Sequence, residues 1–154
     1  MREAIGGWEL TGIWTLQGGM PFTVVDGNDF SFTGLGVDHA KQIGNPHLDT
    51  GRGSSGLAAE YFNTAAFTDN DLGTYGNAPR NSIYGPGLVN TDMGLMKYFA
   101  LPGKTKLQFR SEFFNALNHT NFQNPVADVS SSQYGQLTSA NPNRILQLAL
   151  KLLF

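Results

Sequence analysis

A leucine or phenylalanine stands at every second position of Arg144-Ile145-Leu146-Gln147-Leu148-Ala149-Leu150-Lys151-Leu152-Leu153-Phe154. Successive side chains of a β-strand point to opposite faces, so this spacing puts these five side chains on one face. The opposite face carries Ile145, Gln147, Ala149, Lys151 and Leu153. The stretch 144–154 is therefore predicted to be a strand with one apolar face and one mixed face.

Three further segments, 8–17, 88–101 and 105–115, alternate with the same period. In the first of them, Trp8, Leu10, Trp14 and Leu16 share one face, and the other face is mostly polar. In the other two, the odd positions form the apolar face, which only Lys97 interrupts with a charge. The sequence predicts four long strands, each near the length needed to cross a bilayer at a tilt.

The connections between these strands alternate between short and long. Leu101-Pro102-Gly103-Lys104 is a tight turn, whereas 18–87 and 116–143 are long and rich in Gly, Asn, Ser and Pro. Outer-membrane β-barrels have short periplasmic turns and long extracellular loops. We predict an all-β fold of antiparallel up-and-down strands from a transmembrane β-barrel in a Gram-negative-type outer membrane, with both long loops extracellular.

Composition agrees with this prediction and excludes other classes of protein. Charged residues make up 14% of the chain, against about 25% in soluble domains, and Gly is enriched at 19 of 154 residues. The net charge is -2 and no basic run occurs, so the electrostatic footprint of a nucleic-acid-binding protein is missing. The first seven residues carry no apolar signal-peptide segment. If the protein is exported, we expect this chain to be a fragment whose leader lies elsewhere.

Several ordered stretches of the chain resemble one family, the Oar-like, carboxypeptidase-regulatory-like-domain-containing TonB-dependent receptors of outer membranes. They are Gly7–Ile13, Gly19–Val24, Tyr61–Phe67, Gly76–Gly87, Phe109–Phe122 and Asn143–Phe154. The resemblance covers nearly the whole chain and places it at the C-terminal end of the barrel.

The resemblance implies a wide barrel, plugged by an N-terminal domain, that imports a scarce ligand with energy delivered by TonB. The plug, the segment that contacts TonB and most strands are not in this sequence. The partners it implies are outer-membrane lipid, the rest of the barrel and its plug, TonB through that missing part, and the barrel-assembly machinery. No cofactor is expected.

Two sets of residues in the predicted strands are candidates for a function. The first resembles the signal that the barrel-assembly machinery recognises, and a free edge strand suits strand addition; it comprises Leu146, Leu148, Leu150, Leu152 and Phe154. The second is a polar ladder on the face that a barrel turns to its lumen, serving cross-strand ion pairing or ligand conduction. It comprises Glu9, Asp92, Arg110, Glu112 and Lys151.

Other motifs predict no enzyme and no metal site. Gly51–Gly56 has the form of a dinucleotide-binding loop but lacks the preceding strand. Asp26–Asp29 and Asp69–Asp71 carry oxygen ligands suited to Ca²⁺, but the EF-hand pattern fails and turn chemistry explains both segments. The histidines are isolated and no catalytic serine motif occurs.

A secreted or surface β-sandwich that binds carbohydrate or protein is the alternative prediction. It requires a second sheet, for which 18–87 would have to supply the strands. Aromatic residues predicted to lie in loops are candidates for ligand contact in either case: Tyr61, Phe62, Phe67 and Tyr75.

Overall fold

Four long strands form one antiparallel sheet in the computed structural model, which describes residues 6–154. The strands are β1 (Trp8–Gln17), β8 (Leu88–Ala100), β9 (Lys106–Phe114) and β10 (Ile145–Leu153), and their order in the sheet is β1-β8-β9-β10. The all-β antiparallel prediction is confirmed, and each strand ends within about one residue of its predicted bounds. Residues 1–5, on which part of the signal-peptide argument rests, lie outside the described residues.

The chain divides into two compact units. The sheet unit contains the four long strands and lies within residues 6–17, 88–121 and 142–154. Its short connection is a turn in which Gly103 has φ 81° and the backbone N–H of Leu101 donates to the carbonyl of Thr105 at 3.0 Å. Glycine supplies the left-handed conformation that this turn needs.

The connector unit consists of Gly18–Gly87 and Phe122–Asn141. Its strands are two residues long: β2 (Pro21–Phe22), β3 (Val25–Asp26), β4 (Asp38–His39), β5 (Lys41–Gln42), β6 (Phe67–Thr68) and β7 (Ile83–Tyr84). They pair as β2 with β7, β3 with β4 and β5 with β6. One α-helix, α1 (Gly53–Ala59), and two 3₁₀ turns (Thr50–Arg52 and Thr64–Ala66) complete it.

Backbone hydrogen bonds hold the two long connections together within the connector unit. The N–H of Val25 donates to Ala127, and the N–H of Tyr61 donates to Gly135 at 2.8 Å. Gly76 packs so tightly that a Cβ there would meet the carbonyl oxygen of His39 at 1.7 Å. The connections that the sequence predicts as loops are therefore folded and share a core.

That core is built around Phe62, which is 2% exposed. Its ring centroid lies 5.7 Å from that of Phe22, 6.0 Å from that of Phe67 and 5.4 Å from that of Tyr134. Burying each such aromatic side chain contributes roughly 1.5–3 kcal/mol. The suggestion that Phe62 and Phe67 contact a ligand is therefore wrong, because both rings are in the core, whereas Tyr75 is 75% exposed.

Neither the β-sandwich alternative nor a dinucleotide-binding loop fits this fold. The β-sandwich alternative lacks its second sheet, since the connector unit contains only two-residue strand pairs in the described part of the chain. The glycine-rich motif Gly51–Gly56 runs into α1, and residues 43–49 before it form no strand. Within residues 6–154, no helix is both long and apolar enough to span a membrane.

Candidate functional site: the two faces of the sheet

One face of the four-stranded sheet is mostly apolar from edge to edge. The register places Leu10, Leu95, Ser111 and Leu148 in a single row across all four strands. Trp14 is 75% exposed and Leu150 is 70% exposed on the same face. Soluble monomers rarely expose a contiguous apolar surface this extensive, and such a surface marks a contact with lipid or protein.

Lys97 is the single charged residue of this face in the described strands, and two aromatic rings cover it. Its ammonium lies 4.6 Å from the ring centroid of Trp8 and 5.1 Å from that of Phe99. The side chain is 3% exposed. A cation over a ring face is stabilised by the ring quadrupole, so Lys97 stays inside the apolar face without pointing its charge outward.

The opposite face carries all five members of the predicted polar ladder. Glu9 shares a row with Met96 and Arg110, and Thr11 shares the next row with Gly94 and Glu112. Asp92 pairs with Ile13, and Lys151 pairs with Gln108. The structure therefore gathers the five residues on one face, although the rows that contain them also hold apolar side chains.

Direct contacts within this set are few. Arg110 forms an ion pair with Glu112, its neighbour two positions along the same strand. Among residues 6–154, Glu9 and Lys151 form no ion pair. Surface ion pairs of this kind contribute about 0–1 kcal/mol to stability. The five residues therefore make this face polar, but they form one ion pair and not a continuous network of ion pairs.

Asp92 has a structural role in addition to its place on the polar face. Its Oδ1 accepts hydrogen bonds from the backbone N–H of Asn115 and from the side-chain amide of Asn90, both at 2.9 Å. Asn115 follows β9 directly and has φ 50°. Asp92 therefore stabilises the left-handed residue at which β9 ends.

Asparagine side chains cap the sheet at the end where β8 begins and β9 ends. Sequence reasoning missed this role. The amide of Asn121 accepts from the N–H of Val89 at 2.9 Å and donates to its carbonyl at 3.0 Å, as a neighbouring strand would. Asn115 bonds His119 in the same two-way manner, and Asn118 accepts from the N–H of Arg144. An asparagine-rich stretch directly after an alternating strand is the signal that indicates such caps.

The predicted assembly signal lies on an edge strand. β10 pairs with β9 and β1 pairs with β8, and each has no second partner among the described strands. The four leucines of the set are exposed on the apolar face, and Phe154 follows the end of β10 at 95% exposure. Unpaired N–H and C=O groups along such an edge are a template for a further strand.

Both long connections leave the sheet from the same end. Gln17 pairs with Leu88 there, and Phe114 pairs with Ile145. The tight turn between β8 and β9 lies at the opposite end. This is the arrangement of short and long connections that outer-membrane barrels show.

The connector unit presents an ordered loop, residues 29–37, with exposed apolar side chains. Phe32, Leu35 and Val37 are all more than half exposed. Hydrogen bonds from the N–H groups of Gly34 and Thr33 hold the pKa of the Asp29 carboxyl below its ordinary value, against a smaller opposing effect of burial. The loop is therefore fixed in shape while its apolar side chains face solvent.

Comparison with known families agrees with this geometry. The family described as "Outer membrane beta barrel domain" matches residues 1–147, which include β1, β8, β9, both long connections and the start of β10. No curated protein and no solved structure matches the chain significantly. An apolar face opposite a mostly polar face is what a barrel wall between lipid and lumen requires. The chain belongs to the outer membrane β-barrel domain family.

Proposed function

We propose that the sheet is part of the barrel wall of a TonB-dependent outer-membrane receptor that imports a ligand. The observation that carries this proposal is the connector unit, in which both long connections fold around one core. A receptor needs an ordered surface that captures its ligand, and loops positioned by a rigid scaffold supply such surfaces. The resemblance to Oar-like receptors supports the same assignment.

The proposed orientation follows from the connections. The turn after β8 is periplasmic, and the connector unit is extracellular, where it contributes to the mouth of the receptor. The exposed loop 29–37 and Tyr75 are then available to a ligand. The chain contributes binding and passage, and no chemical step is assigned to it.

The proposed partners correspond to particular surfaces. The apolar face contacts outer-membrane lipid, and the free edges of β1 and β10 pair with further strands of the barrel. The barrel-assembly machinery recognises β10 with Phe154. The polar face lies against the lumen and its plug, through which TonB acts.

Uptake in cells with and without TonB tests the transport proposal. The probes are radiolabelled ferric complexes, cobalamin and maltodextrins, offered to cells that produce the whole receptor of which this sheet is a part. We expect one probe to accumulate and its accumulation to fall to background when TonB is deleted. Accumulation of no probe above that of cells lacking the protein, or uptake that persists without TonB, contradicts the proposal.

A further inference from the structure

Two buried carboxylates face each other in the connector unit. Asp26 and Asp38 are direct partners in the β3–β4 pair, so their side chains point to the same side. Asp26 is fully buried and Asp38 is 6% exposed. Like charges directly opposite each other in a strand pair repel, and burial makes the repulsion stronger.

No protein cation balances this pair in the described part of the chain. The ion pairs found there are Lys41 with Asp71 and Arg110 with Glu112. Asp26 accepts from the backbone and side chain of Asn28, and Asp38 accepts from the N–H and hydroxyl of Ser31. These donors are neutral, so they orient the carboxylates and leave their charge uncompensated.

Asn70 adjoins the same two carboxylates. Asn70 is 6% exposed, its backbone N–H donates to Asp26 Oδ2 at 3.2 Å, and its Nδ2 donates to the carbonyl of His39, next to Asp38, at 2.8 Å. Its Oδ1 is buried and accepts no hydrogen bond within the described residues. A buried amide oxygen without a donor is costly, and a cation would satisfy it.

We propose that Asp26, Asp38 and Asn70 Oδ1 bind a calcium ion. Two carboxylates and an amide oxygen are hard ligands that Ca²⁺ prefers, and Ca²⁺ completes its flexible shell of six to eight oxygens with backbone carbonyls and water. Asp26, Asp38 and Asn70 Oδ1 offer only oxygen ligands, so metals that prefer nitrogen or sulfur are not favoured. A site with two carboxylates belongs to the weak, extracellular affinity range of about 10⁻⁴–10⁻³ M.

The proposed site differs from the sequence-based prediction, in which turn chemistry alone accounts for Asp26–Asp29 and Asp69–Asp71. Its ligands come from three separate segments, which a local motif does not reveal. Ser31 joins Asp38 to the exposed loop 29–37, so bound calcium also orders that loop. The inference does not depend on transport by the proposed receptor.

Calcium binding to the full chain in detergent micelles tests the inference. Equilibrium dialysis with radioactive Ca²⁺ is expected to show one saturable ion per chain. Asp26→Asn, Asp38→Asn and Asn70→Ala are each expected to weaken binding by roughly tenfold or more, since the affinity follows the charge and number of ligands. The matched control is Asp49→Asn, which removes an exposed carboxylate of the same unit, keeps a residue able to cap the 3₁₀ turn, and should leave binding unchanged.

Hydrogen exchange of the wild-type chain provides a second readout that does not depend on any variant folding well. In the wild-type chain, Ca²⁺ is expected to slow exchange of the amides of Ser31 and Asn70, and chelation should reverse this. In Asp38→Asn, exchange should no longer respond to Ca²⁺. The absence of saturable binding at millimolar Ca²⁺, or an equal loss in Asp49→Asn, overturns the proposal and leaves only a diffuse acidic surface.

Discussion

At the scale of single residues, the side chains that matter most are those that replace a missing backbone partner. Asn121 bonds both backbone groups of Val89, at a position that β9 does not reach. It is 3% exposed, so water cannot take over these bonds if the amide is lost. The side chain of Asn121 therefore extends the backbone hydrogen bonding of the sheet at Val89.

Replacing Asn121 by leucine is expected to lower the free energy of unfolding by about 1–3 kcal/mol, because the backbone N–H and C=O of Val89 would lose their part-buried hydrogen-bond partner. Urea unfolding from phospholipid vesicles, followed by the fluorescence of Trp8 and Trp14 in β1, measures the change. Asn143→Leu is the control, because Asn143 is exposed. An equal effect of the two substitutions would contradict the assigned role of Asn121.

Asp29 gives the loop 29–37 a dependence on pH. Its pKa in the folded chain lies below the ordinary value of 3.8, chiefly because the N–H of Gly34 donates to it. The stabilisation is therefore fully present above that ordinary value and is lost as the pH falls through the lower, folded value. We expect the Gly34 amide to lose protection from hydrogen exchange, corrected for intrinsic rates, only below about pH 4.

In the Asp29→Asn variant, a neutral amide replaces the carboxylate, and the protection of Gly34 should no longer change over this acidic range. If the wild-type amide stays protected throughout, or if both proteins respond alike, the carboxylate does not fix the loop.

At the scale of elements, alternation made the four long strands predictable, because a period of two persists over nine residues or more in each. The connector unit was predicted only as loops because its strands are two residues long, too short for any period. Its core joins Phe22, Phe62 and Tyr134, which are far apart in sequence. The opposition of Asp26 and Asp38 likewise arises only when β3 and β4 pair.

Neighbouring positions of β10 allow a test of which face contacts lipid. Leu148 lies near the middle of the strand on the apolar face, and Gln147 lies opposite Glu112 on the polar face. Leu148→Arg is expected to destabilise the membrane-inserted sheet by about 2–4 kcal/mol, as arginine does at the midplane of a barrel wall. Gln147→Arg is expected to change the stability of the sheet by less than about 1 kcal/mol, because the new side chain lies opposite the Glu112 carboxylate on the polar face.

Urea unfolding from vesicles measures both variants under the same conditions. Similar losses for Leu148→Arg and Gln147→Arg would mean that the two faces of β10 do not differ in their surroundings.

At the scale of the whole molecule, two kinds of structure serve two tasks. The sheet unit has few buried apolar side chains and exposes large ones, as expected of a wall whose apolar solvent is lipid. The connector unit has a conventional aromatic core, as expected of a part folded in water. The family assignment accounts for the sheet unit as part of a barrel wall. The proposed receptor function and the calcium site concern the connector unit.

We expect the apolar face of the sheet to lie against the membrane and the polar face to lie away from it. The chain contains no cysteine, so single cysteines can be introduced in β1 without background. In outer membranes, a lipid-soluble thiol reagent is expected to modify Leu10→Cys and Trp14→Cys, and a water-soluble reagent to modify Thr11→Cys and Thr15→Cys. Equal modification of all four by the water-soluble reagent, or the opposite alternation, would mean that the apolar face does not lie against lipid.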